Sequence, residues 1–411
     1  MKTLLVIGYV WPEPTSSAAG SRMMELLQAF KQAQYTIVFA SPAQTSANAV
    51  SLETLGITTV TIKVNDESFD AFVKEVQPDV VLFDRFMMEE QFGWRITQQC
   101  PNTLKLLDTE DLHSLRKARH EAVKKKVPFT IDFWKTQEVT KREMAAILRC
   151  DISLIISEVE MDYLQTHFQI PQHILWYYPL RYAPLTPPQI QAWPRFKQRQ
   201  HFITIGNFMH QPNWDAVLQL KTIIWPLIKQ QLPQAEMHVY GAYMAVKHEQ
   251  LHQPKEGFLM KGWAPNAAAV MQQAKVCLAP LRFGAGLKGK LMEAMGNGTP
   301  TVTTTIGAEG MHGDMPWNGD VVDDMEMFAH KAVQLYTHEA DWKVAQQNGI
   351  DLIQQRFSDV TFATTFIAKV SAVQHNLTAH RTANFMGSML QHHSLQSTKY
   401  MAKWIEAKNK L

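Results

Sequence analysis

The chain has 411 residues, of which 46% are hydrophobic and 19% charged, with 40 Lys plus Arg against 38 Asp plus Glu. At about 150 residues per domain, this length predicts two or three domains, each with a sizeable core. The composition excludes a disordered or collagen-like chain, and no apolar run reaches the ~18 residues that a membrane-spanning helix needs. A formal net charge of +2 gives no indication of nucleic-acid binding.

The opening segment and the three cysteines indicate in which cellular compartment the protein is expected. The segment MKTLLVIGYVW is interpreted as a first buried strand and not as a signal peptide, because Pro12 and Glu13 interrupt it early. Cys100, Cys150 and Cys277 are too far apart in sequence for a disulfide framework or a metal-ligand pair. We therefore expect a cytoplasmic protein without a metal site.

Short runs rich in Val, Ile and Leu alternate with helix-length amphipathic segments. This alternation predicts an α/β fold in which parallel sheets are covered by helices on both faces. The predicted strands of the first half are 3–8, 36–40, 58–64, 79–83, 103–107 and 152–156. The pattern restarts with strands near 202–205, 237–240, 258–261, 276–279, 301–304 and 320–322.

The segment between the two halves, residues 182–199, holds four prolines and has no sustained period, so it predicts a domain boundary. The expected division is a doubly wound, Rossmann-like domain at 1–185, a linker at 186–200, a second such domain at 201–374 and a helical tail at 375–411. Met389, Tyr400 and Trp404 lie among the charges of the tail. We expect the tail to pack back on the first domain and to bury these three side chains.

The most informative stretch is APLRFGAGLKGKLMEAMGNGTPTVTTTIGAEG at 279–310. It runs from a strand end through a glycine-rich loop into a helix, where unpaired amides and the positive dipole end suit a diphosphate. Lys288 and Lys290 would add positive charge, and Glu293 could accept hydrogen bonds from sugar hydroxyls. The alternative is a tight turn followed by a solvated helix face.

This stretch resembles the donor-binding half of the GT-B glycosyltransferases, in particular the family-4 (group 1) retaining enzymes that use sugar nucleotides. The matching motifs are Ala279-Pro280, GAGLKGK, Glu293-Ala294-Met295, Gly298-Thr299-Pro300 and the threonine-rich strand after them. The resemblance extends to ITIGNFMHQPNWDAV at 203–217, to GWAPNAAAVMQQAKVCLAPL at 262–281 and to ISEVEMDYL at 156–164.

The resemblance implies two Rossmann-like domains that face a central cleft, and transfer of a sugar from a nucleotide diphosphate donor with retention. The sugar nucleotide would be a co-substrate, with no bound cofactor and no obligatory metal. The implied donor-binding residues are Gly206, Asn207, Gly284, Gly286, Leu287, Lys288, Lys290, Glu293, Glu309 and Gly310. Glu293 matches the family's ribose-binding carboxylate, whereas the carboxylate eight positions earlier is replaced by Ala285. The family's basic pair in the first turn of the second domain is also missing, and Lys288 and Lys290 are expected to replace it.

In the first domain, KLLDTEDLHSLRKAR at 105–119 follows a predicted strand end. Carboxylates beside an imidazole can orient and deprotonate an acceptor hydroxyl, so Asp108, Asp111 and His113 are the predicted catalytic residues. The alternative is that the acidic residues only cap the helix that follows.

Further residues are predicted on the acceptor and phosphate side of the cleft. Gly20 and Arg22 lie in a loop, 11–27, that resembles the family's first loop, although a run of N-capping serines with an exposed arginine explains it equally well. Asp84 and Arg85 follow another strand end, and Arg116 accompanies the acidic cluster.

Six basic residues lie within 116–126, which indicates either a solvated helix face or a surface for an anionic acceptor or for anionic lipid at the inner face of a membrane. The acceptor, whether a glycan, a lipid-linked sugar or a protein, is not indicated by any motif. Two alternatives to transfer are a nucleotide-sugar epimerase or hydrolase on the same fold and a non-catalytic protein that only binds sugar nucleotides.

Overall fold

Two parallel sheets, one in each half of the chain, organise the computed structural model, which describes residues 2–409 except the side chains of residues 393–396. The first sheet has seven strands in the order β3-β2-β1-β4-β5-β6-β7. These strands are β1 Thr3–Ile7, β2 Thr36–Ser41, β3 Thr58–Thr61, β4 Val80–Asp84, β5 Leu104–Asp108, β6 Ile152–Ile155 and β7 Leu175–Tyr177.

Helices cover both faces of this sheet, because its central strands are apolar on both sides: Leu4 through Ile7 have no exposed surface. Leu5 and Ile7 pack in one core cluster, and Leu4 and Val6 pack in another on the opposite face. The helices of this half are α1 Ala18–Gln32, α2 Ser68–Val76, α3 Phe86–Gln99, α4 His113–Lys125, α5 Ile131–Lys135, α6 Glu138–Arg149 and α7 Glu158–Thr166.

The second sheet has six parallel strands in the order β10-β9-β8-β11-β12-β13. These are β8 Gln200–Ile205, β9 Met237–Tyr240, β10 Phe258–Gly262, β11 Ala274–Ala279, β12 Thr301–Thr303 and β13 Gly319–Val321. The helices are α8 Pro187–Ala192 in the connection, then α9 Gln211–Gln219, α10 Trp225–Gln231, α11 Val246–Glu249, α12 Ala267–Gln273, α13 Gly289–Gly296, α14 Thr305–Ala308, α15 Met325–Thr337 and α16 Glu339–Leu352.

The predicted α/β architecture is confirmed, and each of the twelve predicted strands overlaps an observed one. The sequence pattern missed β7, which has only three residues and pairs with β6 alone at the edge of the first sheet. A three-residue edge strand is too short to show a hydrophobic period.

The two domains contact each other through an apolar cluster as well as through loops. Ile156 and Leu180 of the first half pack in the same buried cluster as Leu287, Leu291 and Met295 of the second. The side chains that close this interface follow strand ends, so the carboxyl ends of the two sheets face a common space.

The last helices, α17 Phe362–His375, α18 Leu377–Ala383 and α19 Phe385–Asn409, return to the first domain. Phe366 packs edge-on against Phe30 and Tyr178, with ring centroids 5.8 and 5.2 Å apart. This contact begins in α17, so the chain crosses back before the predicted start of the tail at residue 375. Arg381 donates to both carboxylate oxygens of buried Asp151, at 2.8 and 2.9 Å.

The predicted burial of the tail aromatic residues is wrong. Tyr400 and Trp404 are 64% and 61% exposed, and Met389 is 39% exposed. The reason is that α19 turns its opposite side, with Gly387 and Ala402, towards α3 and α6. Within the described residues, no helix is both long and apolar enough to cross a bilayer.

The ion pair of the tail gives a first prediction. Arg381→Ala should lower the free energy of unfolding by about 1.5–3 kcal/mol, because Asp151 is 3% exposed and would lose its charged partner. Urea denaturation would measure the change. Lys403→Ala, at an exposed position of α19, is the matched control and should leave the urea midpoint unchanged. Equal midpoints for both variants would show that the pair does not anchor the tail.

Candidate functional site

The candidate site lies where loops at the carboxyl ends of the two sheets touch. The loop between β11 and α13, which we call the donor loop (residues 280–288), contacts the turn after β5. A Cβ atom on Gly286 would lie 2.8 Å from the Cβ of Asp111, and Gly286 has a φ of +62°. Both facts require glycine here, since a side chain would clash and the left-handed backbone would be strained.

The threonines of β12 hold the start of the donor loop. The Thr303 hydroxyl donates to the carbonyl of Ala279 at 2.8 Å, and the Thr304 hydroxyl donates to the carbonyl of Leu281 at 2.6 Å. The loop therefore leaves the sheet in a fixed direction and delivers its glycines to the domain interface.

Lys288 ends the donor loop and is buried, and Lys290 lies in the first turn of α13 and is partly buried. The Lys288 ammonium donates to the carbonyl of Gly286 at 2.7 Å, and the Lys290 ammonium donates to Asn213 Oδ1 at 2.8 Å. Burial lowers the pKa of each lysine to about 8. Among the described residues neither lysine forms an ion pair with an acidic side chain, although the charges of Glu309, Glu160 and Asp111 act on Lys288 and oppose the lowering of its pKa.

The turn after β8 reaches the same place. Predicted donor-binding residues Gly206 and Asn207 lie in it, and the Asn207 carbonyl accepts a hydrogen bond from Asn213 Nδ2 at 2.9 Å. Because Asn213 also holds Lys290, this asparagine joins the turn to the start of α13.

His210, at the end of this turn, was missed by the sequence reasoning. Burial lowers its pKa to about 3, and the positive charges of Arg116 and the two donor-loop lysines act in the same direction, while Asp111 opposes them. His210 is therefore close enough to groups of both domains to respond to them. Its position just after a strand end was the only signal that could have identified it.

Three of the residues predicted on the acceptor side face this space: Asp111, His113 and Arg116. Their side chains are 14%, 17% and 22% exposed, and Asp111 pairs with Arg116 and lies 3.4 Å from His113 Nε2. Although burial opposes it, Arg116 and His113 hold the pKa of Asp111 well below its usual range. Burial lowers the pKa of His113 to about 3, so this imidazole is neutral at pH 7 and can take part in hydrogen bonds as a neutral ring.

Asp108 and Arg22 do not face the cleft, which corrects their predicted catalytic and phosphate-side roles. Both side chains are fully buried, and Arg22 Nε donates to both carboxylate oxygens of Asp108 at 2.9 and 3.1 Å. Arg22 also donates to the carbonyls of Tyr178 and Pro179. The pair therefore ties the end of β5 to α1 and to the segment after β7.

Gly20 lies at the start of α1 and has a structural role in the loop before it. Its amide donates to Ser17 Oγ at 3.0 Å, so the N-capping alternative explains this loop. A Cβ on Gly20 would lie 2.4 Å from the backbone of Glu13, which explains why glycine is needed.

Asp84 is buried and holds the backbone at Tyr9, whereas Arg85 is partly exposed. Asp84 is 4% exposed and accepts from the amide of Tyr9 at 3.0 Å, and burial raises its pKa. The Arg85 side chain is 16% exposed and stacks 4.9 Å from the centroid of the Tyr9 ring. Arg85 thus lies at the edge of the cleft, held in place by Asp84 and Tyr9.

Glu309, predicted to bind the donor, is instead engaged across the domain interface. Both of its carboxylate oxygens accept from Arg119 of α4, at 2.8 and 2.7 Å, and Arg119 donates to the carbonyl of Gly284 at 2.9 Å. Gly310 packs so closely on Ser157 that a Cβ would lie 2.4 Å from its hydroxyl oxygen. Leu287 is 8% exposed in the apolar cluster between the domains.

Glu293, the predicted ribose-binding carboxylate, lies on α13 and is partly exposed. One of its oxygens accepts from Asn297 Nδ2 at 2.9 Å, and burial raises its pKa. Its surroundings include the Tyr182 phenol, whose pKa is raised first by burial and further by Glu293.

The basic segment at 116–126 does not form a single surface. Arg116 and Arg119 turn inward to Asp111 and Glu309, whereas Lys117 and Lys124 to Lys126 are exposed. Within residues 2–409, no group of three or more His, Cys, Asp and Glu side chains is placed to hold a metal ion.

Comparisons with known proteins match this architecture. Residues 199–338 match the family model described as "Glycosyl transferases group 1". No curated protein sequence matches the chain significantly.

Solved structures of similar fold include several that match this chain over nearly their whole length. Anabaena HepE in complex with UDP and glucose superposes with a TM-score of 0.68 at 11% identity, covering 90% of this chain and 100% of that one. Sucrose-phosphate synthase from Thermosynechococcus elongatus gives 0.66 at 15% identity, covering 92% and 100%. A glycosyltransferase from Rickettsia africae gives 0.63 at 12% identity, covering 89% and 97%.

At these identities the structural likeness establishes the fold, and the family match applies to the second domain. Residues 199–338 therefore match the group 1 glycosyltransferase family, and the chain as a whole has the GT-B fold.

Proposed function

We propose that the chain transfers a glycosyl group from a nucleotide diphosphate sugar to an acceptor hydroxyl, with retention at the anomeric carbon. One observation carries the proposal: the Gly286 peptide, on which Lys288 rests, packs directly against Asp111, the partner of Arg116, so the cations of the second domain and the charged residues of the first share one space. Among the similar structures, HepE is a complex with UDP and glucose and the Rickettsia africae protein is a glycosyltransferase, which supports a sugar nucleotide as the donor class.

On the donor side, the two lysines and the start of α13 would hold the diphosphate. Negative charge builds on the leaving diphosphate as the glycosidic bond breaks, and fixed cations in a buried site stabilise that charge without reorganisation. Lys288 and Lys290 have no carboxylate partner to lose when the anion arrives. We propose that they supply this stabilisation with no obligatory metal, while Glu293 accepts from the ribose hydroxyls.

On the acceptor side, Asp111 and the neutral imidazole of His113 would orient the attacking hydroxyl. Arg116 holds Asp111 ionised, and an ionised carboxylate is a strong hydrogen-bond acceptor for a hydroxyl. Holding acceptor and donor in line then supplies much of the rate enhancement. The alternatives are an epimerase or hydrolase on the same fold, which would release free or epimerised sugar nucleotide products, and a protein that binds the donor without turnover.

The donor class can be identified by a thermal-shift panel of UDP-, ADP- and GDP-sugars with the full chain. A ligand present at 100 times its dissociation constant adds about 2.7 kcal/mol of stability. A shift with one base and with several of its sugars identifies the nucleotide, and a product analysis with that donor separates transfer to an acceptor from release of free sugar. A panel in which no sugar nucleotide raises the melting temperature would contradict the proposal.

The donor-side assignment predicts the behaviour of the lysine variants. Lys288→Ala and Lys290→Ala should each lower kcat about 10- to 1,000-fold, with a smaller change in KM for the donor, because the charge that they stabilise grows towards the transition state. Steady-state kinetics would measure both constants. Arg282→Ala is the control, since Arg282 pairs with Asp215 outside this cluster. Wild-type kcat in both lysine variants would place the cationic role elsewhere.

The acceptor-side assignment predicts a different pattern. Asp111→Asn should lower the transfer rate at saturating donor about 100-fold, because the neutral amide cannot help to remove the hydroxyl proton. The donor dissociation constant, measured by calorimetry, should stay the same. Asp132→Asn, at an exposed position of α5 in the same domain, should change neither value. Full activity of Asp111→Asn would show that the acceptor is activated by another group.

A further inference from the structure

Glu160 on α7 connects the two sides of the cleft through a single oxygen atom. Its Oε1 accepts from the amide of Leu112 at 3.0 Å and from the amide of Gly286 at 2.8 Å. Leu112 directly follows Asp111 on the acceptor side, and Gly286 lies at the centre of the donor loop. One carboxyl group thus holds backbone atoms of both domains.

Glu160 is fully buried, so its carboxyl group acts only through its hydrogen bonds to the amides of Leu112 and Gly286. The side chain has no exposed surface, and burial raises its pKa to about 8. Its second oxygen, Oε2, is buried without a hydrogen-bond partner among the described residues. Burying a polar group is unfavourable unless hydrogen bonds offset the loss of its contacts with water. If α7 only needed packing at this position, an apolar side chain would be more stable.

The neighbouring contacts make the donor loop stiff on both sides of residue 285. Arg119 donates to the carbonyl of Gly284 at 2.9 Å, and Glu160 accepts from the amide of Gly286. The carbonyl of that same Gly286 accepts from the Lys288 ammonium at 2.7 Å. The position of the Gly286 peptide therefore determines where the Lys288 charge lies relative to Asp111.

We infer that Glu160 is a positioning residue that holds the donor loop in a fixed position against the turn after β5, residues 109–112. It contacts neither reacting group directly and acts through the backbone of Gly286 and Leu112. The inference rests on the proposed function for its consequence in catalysis, whereas the contact itself can be tested without any substrate.

Hydrogen–deuterium exchange of the full chain without donor tests the contact. In Glu160→Ala the peptides that cover 105–115 and 282–290 should both exchange at least 10-fold faster, because the amides of Leu112 and Gly286 lose their acceptor. Glu160→Gln keeps an oxygen at the same place and should restore protection. Asp162→Ala, an exposed carboxylate on the same helix, is the control and should match the wild type. Unchanged exchange in Glu160→Ala would overturn the inference.

If Glu160→Ala does not fold, Glu160→Met fills the same buried volume and serves in its place. The exchange of the two peptides is then compared with that of a peptide covering 36–41 in the first sheet, and faster exchange in all three would mean general destabilisation and would overturn the inference.

A kinetic comparison tests the positioning role. With the donor identified by the thermal-shift panel, Glu160→Ala should lower kcat at least 10-fold, with less than a 3-fold change in the dissociation constant of the matching nucleoside diphosphate, and Glu160→Gln should recover most of kcat. Equal kcat in the wild type and Glu160→Ala would overturn the positioning role. Because the exchange experiment needs no donor, a failure of the proposed function would be recognised separately.

Discussion

The close contact between Gly286 and Asp111 is the constraint on which the candidate site depends. In both sheets the loops that follow the parallel strands lie at the carboxyl edge. Only a residue without a Cβ at position 286 allows the donor loop to lie directly on the turn after β5, at Asp111. Around this contact, Glu160 fixes the Gly286 amide and Arg119 fixes the Gly284 carbonyl. The cations of the second domain are thereby placed near the Asp111 carboxylate and the His113 imidazole of the first.

The charged residues near the interface divide into two groups with different physical roles. Arg22 with Asp108, and Arg119 with Glu309, are paired and bidentate, and each pair joins segments that are distant in sequence. Lys288 and Lys290 instead rest on carbonyl oxygens and an amide, with lowered pKa values that reflect burial. A buried ion pair is satisfied and contributes to architecture, whereas a buried cation without a counter-ion is the group that gains most from binding an anion.

The similar structures share the fold of this chain at low sequence identity. Identities of 11–15% with TM-scores of 0.63–0.68 show that a pattern of buried apolar strands preserves the fold while most individual residues change. The residues of the candidate site lie mostly in loops and helix ends that follow the strands. The specificity for base, sugar and acceptor is therefore expected to depend on loop residues and not on the sheets.

The sequence by itself determined the two α/β halves and the glycine-rich loop between β11 and α13, because hydrophobic period and glycines act locally. It also placed Asp111, His113, Lys288 and Lys290 after strand ends, and the carboxyl edge of a parallel sheet brings such residues together. Only the tertiary structure decided which charged side chains face the cleft. Asp108 and Asp111 are three residues apart, yet Asp108 is fully buried against Arg22 from α1, while the Asp111 side chain is 14% exposed and pairs with Arg116. The role of Glu160 was likewise invisible in the sequence, since its two partners lie 48 and 126 residues away and meet it only when the domains pack.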